Sequence, residues 1–302
     1  MQLSIIVCTY NREDCILEAL LSLKDQTMPA EDYEIVLVDN NSTDSTPEIC
    51  RQFIETNPEL NIQFVRERRQ GLSFARNTGI EKARSTIVAF LDDDAIASKR
   101  YCTSLIQFFT ATPQAMVVGG RIVPKFETEQ PDWMPRELTP LYSTLDLGSE
   151  IKEFKGRTYP IGANMAFRKA VFQECGTFNT TLGRMGKNLL GGEEKDMFFR
   201  IREKRMKVFY VPEAWIYHVI PTARTTKEFI RRQAIGSGQS ERLRCAHSWS
   251  KLAGAYALEI AKWGFSFLLA VKYLMLQKFR AALTLLQFRY WVSSGLFQKS
   301  SK

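Results

Sequence analysis

The sequence predicts an open α/β fold: a mostly parallel central sheet flanked by helices, continued by a helical C-terminal extension. Three observations carry this. Short apolar runs alternate with longer helix-like stretches through the first 112 residues. The runs are apolar on both faces, as expected for strands buried in a parallel sheet. After Pro221 the strand pattern ends and helical periodicity takes over.

In order, 3–9, 34–39, 61–66 and 86–92 read as strands, rich in Ile, Val, Leu and Phe. Helices are expected over 12–25, 45–57, 73–83 and 99–112, with Asp44 placed to cap the second and Ser73 the third. A βαβ series with right-handed crossovers puts helices on both faces. From about Gly119 the pattern changes, and the proline-bearing stretch 124–160 reads as a long excursion over one face of the sheet. A strand resumes over 161–168, a Gly- and Asn-rich loop covers 178–192, and 193–204 is a helix. Two short strands, 208–211 and 215–219, precede the helical tail. The expected division is a catalytic domain over 1–222, with a nucleotide half 1–120 and an acceptor half 121–222, followed by the extension 223–302.

Composition narrows the function. The 302 residues are 45% hydrophobic, enough for a full core. The formal net charge is +8, and most of the excess sits in the tail. Over 251–302, Lys251, Lys262, Lys272, Lys278, Arg280, Arg289, Lys299 and Lys302 face only Glu259. None of the six cysteines falls in a CxxC or zinc-like pattern, so reduced thiols and a cytoplasmic location are expected. The first residues run directly into a strand, which predicts no signal peptide. Sequons at Asn40, Asn41 and Asn179 weigh mildly against secretion.

In an open α/β sheet, ligands bind at the carboxyl ends of the strands. Read in order, those ends are Thr9-Tyr10-Asn11-Arg12, Asp39-Asn40-Asn41-Ser42, Arg66 and Asp92-Asp93-Asp94. Neither a GxGxxG after the first strand nor a Walker lysine occurs, which argues against a nicotinamide, flavin or P-loop site. Three adjacent carboxylates repel one another, and capping a helix needs only one. After the apolar run 87–91 they make sense if a divalent cation neutralises them, and hard oxygen ligands suit Mg2+ or Mn2+. The competing reading is a solvated acidic turn before a helix.

Four segments together resemble the ordered motifs of the family 2 glycosyltransferases, which have the GT-A fold. They are Ser4-Ile5-Ile6-Val7-Cys8-Thr9-Tyr10-Asn11-Arg12, Val38-Asp39-Asn40-Asn41-Ser42-Thr43-Asp44, Gly71-Leu72-Ser73-Phe74-Ala75-Arg76-Asn77 and Phe90-Leu91-Asp92-Asp93-Asp94. The resemblance runs from residue 3 to about residue 240. It implies a nucleotide-diphospho-sugar site made of Thr9, Tyr10, Asn11, Arg12, Asp39, Asn40, Arg76, Asp92 and Asp93. Within it, Asp39 would hydrogen-bond the base, Asp92 would face the ribose or sugar, and Asp94 would bind the metal bridging the diphosphate. Cys8 stands where proline is frequent and Gln70 where asparagine is common; neither change removes a catalytic group.

The segment Gly162-Ala163-Asn164-Met165-Ala166-Phe167-Arg168 is similar to the family's acceptor-proximal strand, which puts Gly162 and Asn164 on the acceptor side. Gly191-Gly192-Glu193-Glu194-Lys195-Asp196 resembles the segment that supplies the base, with Glu194 at the family's aspartate position and Glu193 and Asp196 as alternatives. An inverting transfer needs such a carboxylate on the acceptor hydroxyl, while the metal stabilises the leaving group. His218 ends an apolar strand, where a structural histidine competes with a role completing the metal site. His247 has no such context and reads as surface, and Gly236-Ser237-Gly238-Gln239-Ser240 reads as helix contacts.

The tail mixes bases with Trp263, Phe265, Phe267, Tyr273, Phe279, Tyr290 and Trp291. A helix lying in a membrane interface fits this; packing on the body and dimerisation stay open, and no nucleic-acid motif is present. The combined expectation is an inverting, Mn2+- or Mg2+-dependent glycosyltransferase. It would move a sugar from its nucleotide to the hydroxyl of a glycan or lipid-linked sugar, in the cytoplasm, with peripheral contact at the inner face of the membrane as one reading of the tail. The alternatives are a sugar-1-phosphate nucleotidyltransferase and a catalytically inactive, membrane-associated nucleotide-binding scaffold.

Overall fold

The computed structural model describes residues 1–156, 158–184, 192–246 and 248–298. Gly191 and His247, named above, lie outside the described residues, as do Lys299 and Lys302. The described chain forms two compact units. One comprises Met1–Lys125, Ser143–Thr181 and Glu193–Val219; the other comprises Phe126–Tyr142, Leu182–Gly192 and Ile220–Lys302.

The first unit opens with β1 (Leu3–Thr9), α1 (Ile16–Lys24), β2 (Tyr33–Asp39), α2 (Thr46–Thr56), β3 (Ile62–Arg66), α3 (Leu72–Lys82) and β4 (Ile87–Asp92). Strands 1 to 4 pair in parallel in the order β3-β2-β1-β4. β1 shows why its run is apolar throughout. Leu3, Ile5 and Val7 join one core with Leu20 and Leu23 of α1, and Ile6 joins another with Ala75 and Ile80 of α3. Both faces are therefore buried, as successive side chains alternate between them.

Beyond β4 the chain forms β5 (Ala95–Ala97), α4 (Tyr101–Ala111), β6 (Ala115–Phe126), β7 (Lys152–Glu153), β8 (Asn164–Arg168), α5 (Ala170–Cys175), α6 (Glu193–Glu203) and β9 (Lys207–Ile220). β8 lies antiparallel on β4, and the sheet continues through β6 and β9 to β5, with β7 also on β9.

The elements depart from expectation at four places. β6 runs through Gly119 and Gly120, where the sequence suggested the strands had ended. These glycines are packing requirements rather than breakers: a Cβ at Gly120 would collide with the Ala214 carbonyl and the Asn164 amide, and one at Gly119 with Pro160. The two strands expected around Pro212 are one 14-residue strand, β9. Pro212 falls between the stretch paired with β7 and the stretch paired with β5, so its missing N–H interrupts neither ladder. Helix α3 is capped at Gly71, with φ 142°, a value few other residues adopt; Ser73 is already inside it. Finally, Asp44 accepts from the Thr46 amide at 3.0 Å and also from the Glu13 amide at 3.2 Å, tying the end of β1 to α2.

The second unit holds α7 (Lys227–Cys245), α8 (Trp249–Met275) and α9 (Phe279–Phe297). Its core is built from Met134, Leu138, Tyr142, Ile230, Leu285 and Phe288, among others. Gly238 and Gly295 let α7 and α9 touch backbone to backbone: a Cβ on the first would strike the Val292 carbonyl, and on the second the Ile235 carbonyl. Helix contact is thus what the Gly236–Ser240 segment provides. α8 is long and apolar enough to cross a membrane by length and composition.

Candidate active site

Strand register assembles the site. Thr9 pairs with Asp39 across β1 and β2, Asp39 with Arg66 across β2 and β3, and Cys8 with Asp92 across β1 and β4. One carboxyl edge therefore gathers these groups in a row, the edge on which a ligand of an α/β sheet sits. The loops leaving it turn sharply. Asn11 and Asn41 have φ of 51° and 65°, which asparagine tolerates better than most residues. The Asn11 side-chain oxygen accepts from the Thr43 amide at 2.8 Å, binding the first two loops together.

Asp39 is fully buried. One oxygen accepts from the Ser42 amide at 3.0 Å; the other makes no hydrogen bond and has Arg66 Nε at 3.6 Å. Arg66 was not singled out as a site residue, although its place opposite Asp39 in the register could have drawn notice. The Asn40 amide donates to the carbonyls of Glu67 and Arg69, and its oxygen accepts from the Gly71 amide at 2.7 Å. These bonds fasten the 67–71 loop beside the edge.

The three aspartates separate in role. Asp93 is buried and paired with Arg12, Nε to Oδ1 3.2 Å. Burial pushes its carboxyl up to about 6, against the lowering pull of Arg12. Arg12 Nη2 also lies 3.8 Å from Asp94, so Arg12 and Asp93 act on the shape of the site. Asp94 Oδ1 stands 3.0 Å from His218 Nε2. This proximity follows from β5 pairing with β9, in which Ala95, the residue after Asp94, is the partner of His218. Asp92 completes the group: ligand atoms of Asp92, Asp94 and His218 lie within 4.8 Å of one another.

A divalent ion fits this set. With metal–ligand distances of about 2.1 Å, octahedral ligands sit about 3 Å apart on adjacent vertices, which the Asp94–His218 spacing matches. Two carboxylates and one imidazole leave coordination positions for phosphate oxygens.

Arg76 is 2% exposed and grips carboxylates: Nη1 to Glu193 Oε1 3.0 Å, Nη2 to Glu194 Oε1 3.2 Å and Nη2 to Asp92 Oδ1 3.9 Å. The guanidinium thus holds three carboxylates together at this edge. Gly162 lies against the same cluster. A Cβ there would collide with Glu194 Oε1 and Arg76 Nη2, and its amide hydrogen-bonds Glu194. Asn164 is 1% exposed; its amide donates to the carbonyls of Arg121 in β6 and Ala214 in β9.

The three base candidates are distinguished by their surroundings. Glu193 is buried on Arg76. Asp196 is engaged by Arg200 at 3.0 Å, a guanidinium that also donates to the Cys175 and Thr177 carbonyls. Glu194 keeps partial exposure, and burial pushes its carboxyl up to about 7, opposed by Arg76 and assisted by Glu193 and Asp92.

A groove of about 1170 Å³, lined by Leu21, Ile96, Phe108, Phe209, Trp215 and Tyr217 among others, contains none of these groups. Trp215 and Tyr217 alternate along β9 with Ile216 and His218, so the groove belongs to the opposite face of the strand.

The fold, with this carboxyl edge, is that of the GT-A class of transferases. The sequence model of Glycosyl transferase family 2 matches residues 4–176, and the chain belongs to that family. It is a glycosyltransferase, which decides against the nucleotidyltransferase alternative. The glucosyl-dolichyl phosphate glucuronosyltransferase of Haloferax volcanii is 28% identical over 247 residues, covering 80% of this chain and 77% of that protein. The mannosyltransferase PcManGT of Pyrobaculum calidifontis, solved with GDP-Man and Mn2+, superposes with a TM-score of 0.67 at 19% identity, covering 99% of this chain and 88% of that one. TarS of S. aureus in complex with UDP-GlcNAc gives a TM-score of 0.53 at 20% identity over 78% of this chain and 66% of that one. Against a longer TarS chain, this chain spans 40%.

Proposed function

We propose that the protein is an inverting glycosyltransferase whose base is Glu194 and whose metal ligands are Asp92, Asp94 and His218. The observation that carries this reading is the shared guanidinium of Arg76, which joins Glu194 to Asp92 and so ties the base to the donor edge. In the reaction, Glu194 takes the proton of an acceptor hydroxyl. The hydroxyl oxygen forms a bond to the anomeric carbon while the bond from that carbon to the diphosphate oxygen breaks on the opposite face. Asp92, Asp94 and His218 would hold a Mn2+ or Mg2+ ion, which would neutralise charge on the departing diphosphate. Asp39 recognises the nucleotide base with the carboxylate oxygen that lacks a hydrogen bond. Arg12, Asp93 and Asn40 hold the loops around it. The 1–222 segment supplies the catalytic machinery and 223–302 the extension.

The donor is a nucleotide-diphospho-sugar, a reading supported by the GDP-Man and UDP-GlcNAc bound in the two structural relatives. The acceptor is the hydroxyl of a glycan or lipid-linked sugar, as the name of the Haloferax relative suggests. The enzyme works in the cytoplasm, in keeping with its six free cysteines.

Calorimetric titration of UDP, GDP, dTDP and CDP, with and without Mn2+, tests the site. One diphosphate should bind in a metal-dependent way, and Asp94→Ala and His218→Ala should weaken that binding by at least about tenfold. Failure of the folded wild type to bind any of the four would overturn the proposal, and metal-dependent binding without turnover of any donor would favour the inactive nucleotide-binding scaffold.

A further inference from the structure

The hairpin of α8 and α9 buries one ion pair and leaves large apolar side chains exposed. Along α8 the inward side carries a buried charge, Glu259, among Ala255, Ser266 and Ala270, while large apolar side chains face outward. Glu259, only 5% exposed, accepts from Arg289 Nη1 at 3.2 Å and from Ser293 Oγ at 3.0 Å; Trp263 donates to the same Ser293 at 2.9 Å. Soluble helices ordinarily do the reverse, burying the apolar stripe and exposing the charged one. The outward side of α8 carries Ile260, Phe267, Leu268 and Met275, which are 60–80% exposed.

The connection between the helices repeats the pattern. Every residue from 274 to 280 is exposed, yet this turn reads Leu-Met-Leu-Gln-Lys-Phe-Arg, where surface turns are normally polar. Met275 and Phe279 at the tip are 80% and 64% exposed. An apolar surface of this extent on a soluble protein marks an interaction site.

Charge selects the partner. Among the described residues, Glu259 is the single acidic residue from 249 to 298, and it is the one turned inward. The outward side therefore presents apolar groups with the exposed Lys251, Lys272 and Lys278, while at the tip Arg280 is paired with Asp132 at 3.5 Å. An aqueous protein partner of ordinary composition would be matched by mixed charge. A surface that is apolar below and anionic above is matched by this arrangement, with long basic side chains reaching out to headgroups. Spanning the bilayer is a poorer fit, since Lys262 and Lys272 interrupt the apolar stretch and the inner face carries the buried Glu259–Arg289 pair.

We propose that the outward face of α8, together with the α8–α9 tip, docks on an anionic phospholipid surface, with the apolar side chains in the interface and the lysines at the phosphates. The inference does not rest on the assignment of the base or the metal ligands. It would hold the enzyme where a lipid-linked acceptor is found.

Co-sedimentation of the full-length protein with vesicles of phosphatidylcholine alone, and with about a third phosphatidylglycerol, tests it. The anionic vesicles should retain the protein, and 0.5 M NaCl should release much of it. Each lysine near an anionic surface contributes roughly fivefold to partitioning. Lys272→Glu with Lys278→Glu should therefore weaken binding by at least about tenfold, and Phe267→Ser with Leu268→Ser by a similar factor. Circular dichroism and diphosphate binding serve as folding controls, because none of the four positions belongs to the first unit. No retention on anionic vesicles would overturn the proposal. So would light scattering that shows a stable dimer dissociated by the Phe267 and Leu268 changes, which would make the face a contact between copies. Resistance to alkaline carbonate extraction from membranes would replace docking by insertion.

Discussion

Arg76 Nη2 stands 3.2 Å from Glu194 Oε1, and the two residues are 118 positions apart in the chain. The contact is possible because α3 and α6 both begin at the carboxyl edge of the sheet, and because Gly162 leaves room beside them. Arg76 thereby anchors Glu193, moderates Glu194 and touches Asp92, three carboxylates that would otherwise repel one another.

Replacing Arg76 by Met should be costly. It leaves buried carboxylates without their cation, which destabilises proteins by about 3–5 kcal/mol, and urea unfolding would read this. Arg76→Lys keeps the charge without the planar fork, so it should restore a good part of the stability. The base should still be misplaced, with kcat down at least about tenfold. The pH at which activity rises should move above its wild-type value, since the lowering influence of Arg76 on Glu194 is weakened.

The elevated carboxyl of Glu194 makes a pH prediction with a definite sign. In the folded protein it holds its proton up to about 7, whereas unfolded glutamate releases it near 4.3. Between those values the folded state binds more protons, so this group's contribution is fully present below about pH 4.3 and is lost as pH rises through 7. Glu194→Gln should remove that dependence. Measured by thermal unfolding, the variant should gain stability relative to wild type from pH 5 to pH 8, while turnover falls by at least about a hundredfold at every pH. A variant whose stability difference stays flat with pH would contradict the assignment.

The glycines of the helical unit should divide into two groups. Gly238→Ala and Gly295→Ala each force a methyl into the backbone of the facing helix, and overpacking of this kind costs about 1–3 kcal/mol. Gly254 and Gly264 lie in α8 with nothing within 4 Å of an added Cβ. Alanine there should stabilise by about 0.5–1 kcal/mol through helix propensity alone. Chemical denaturation of the four variants would separate the groups.

What was readable in the sequence follows from how local each signal is. β1 to β4 could be placed because two-sided burial writes itself into uninterrupted apolar runs, and the acidic and polar strand ends followed from them. β6 could not, because Gly119 and Gly120 meet the demands of neighbours that lie far along the chain, and in isolation they look like breakers. Pro212 hid the continuity of β9 for a similar reason. At the site, the residue types were legible but several roles were not. The hydrogen bonds of Asn40 and Asn164 to distant carbonyls leave no local trace in the sequence. Nor does the meeting of Arg76 with the carboxylates of α6.

The pairing of Ala95 with His218 has a kinetic consequence. Asp94 and His218 are placed by adjacent strands of one sheet, so they hold their spacing whether or not a ligand is near. An arriving cation would need no search for its ligands and would impose no ordering of the backbone. Exchange of water from the ion would then set the rate of loading, and one cation could replace another between turnovers without the enzyme losing its working shape.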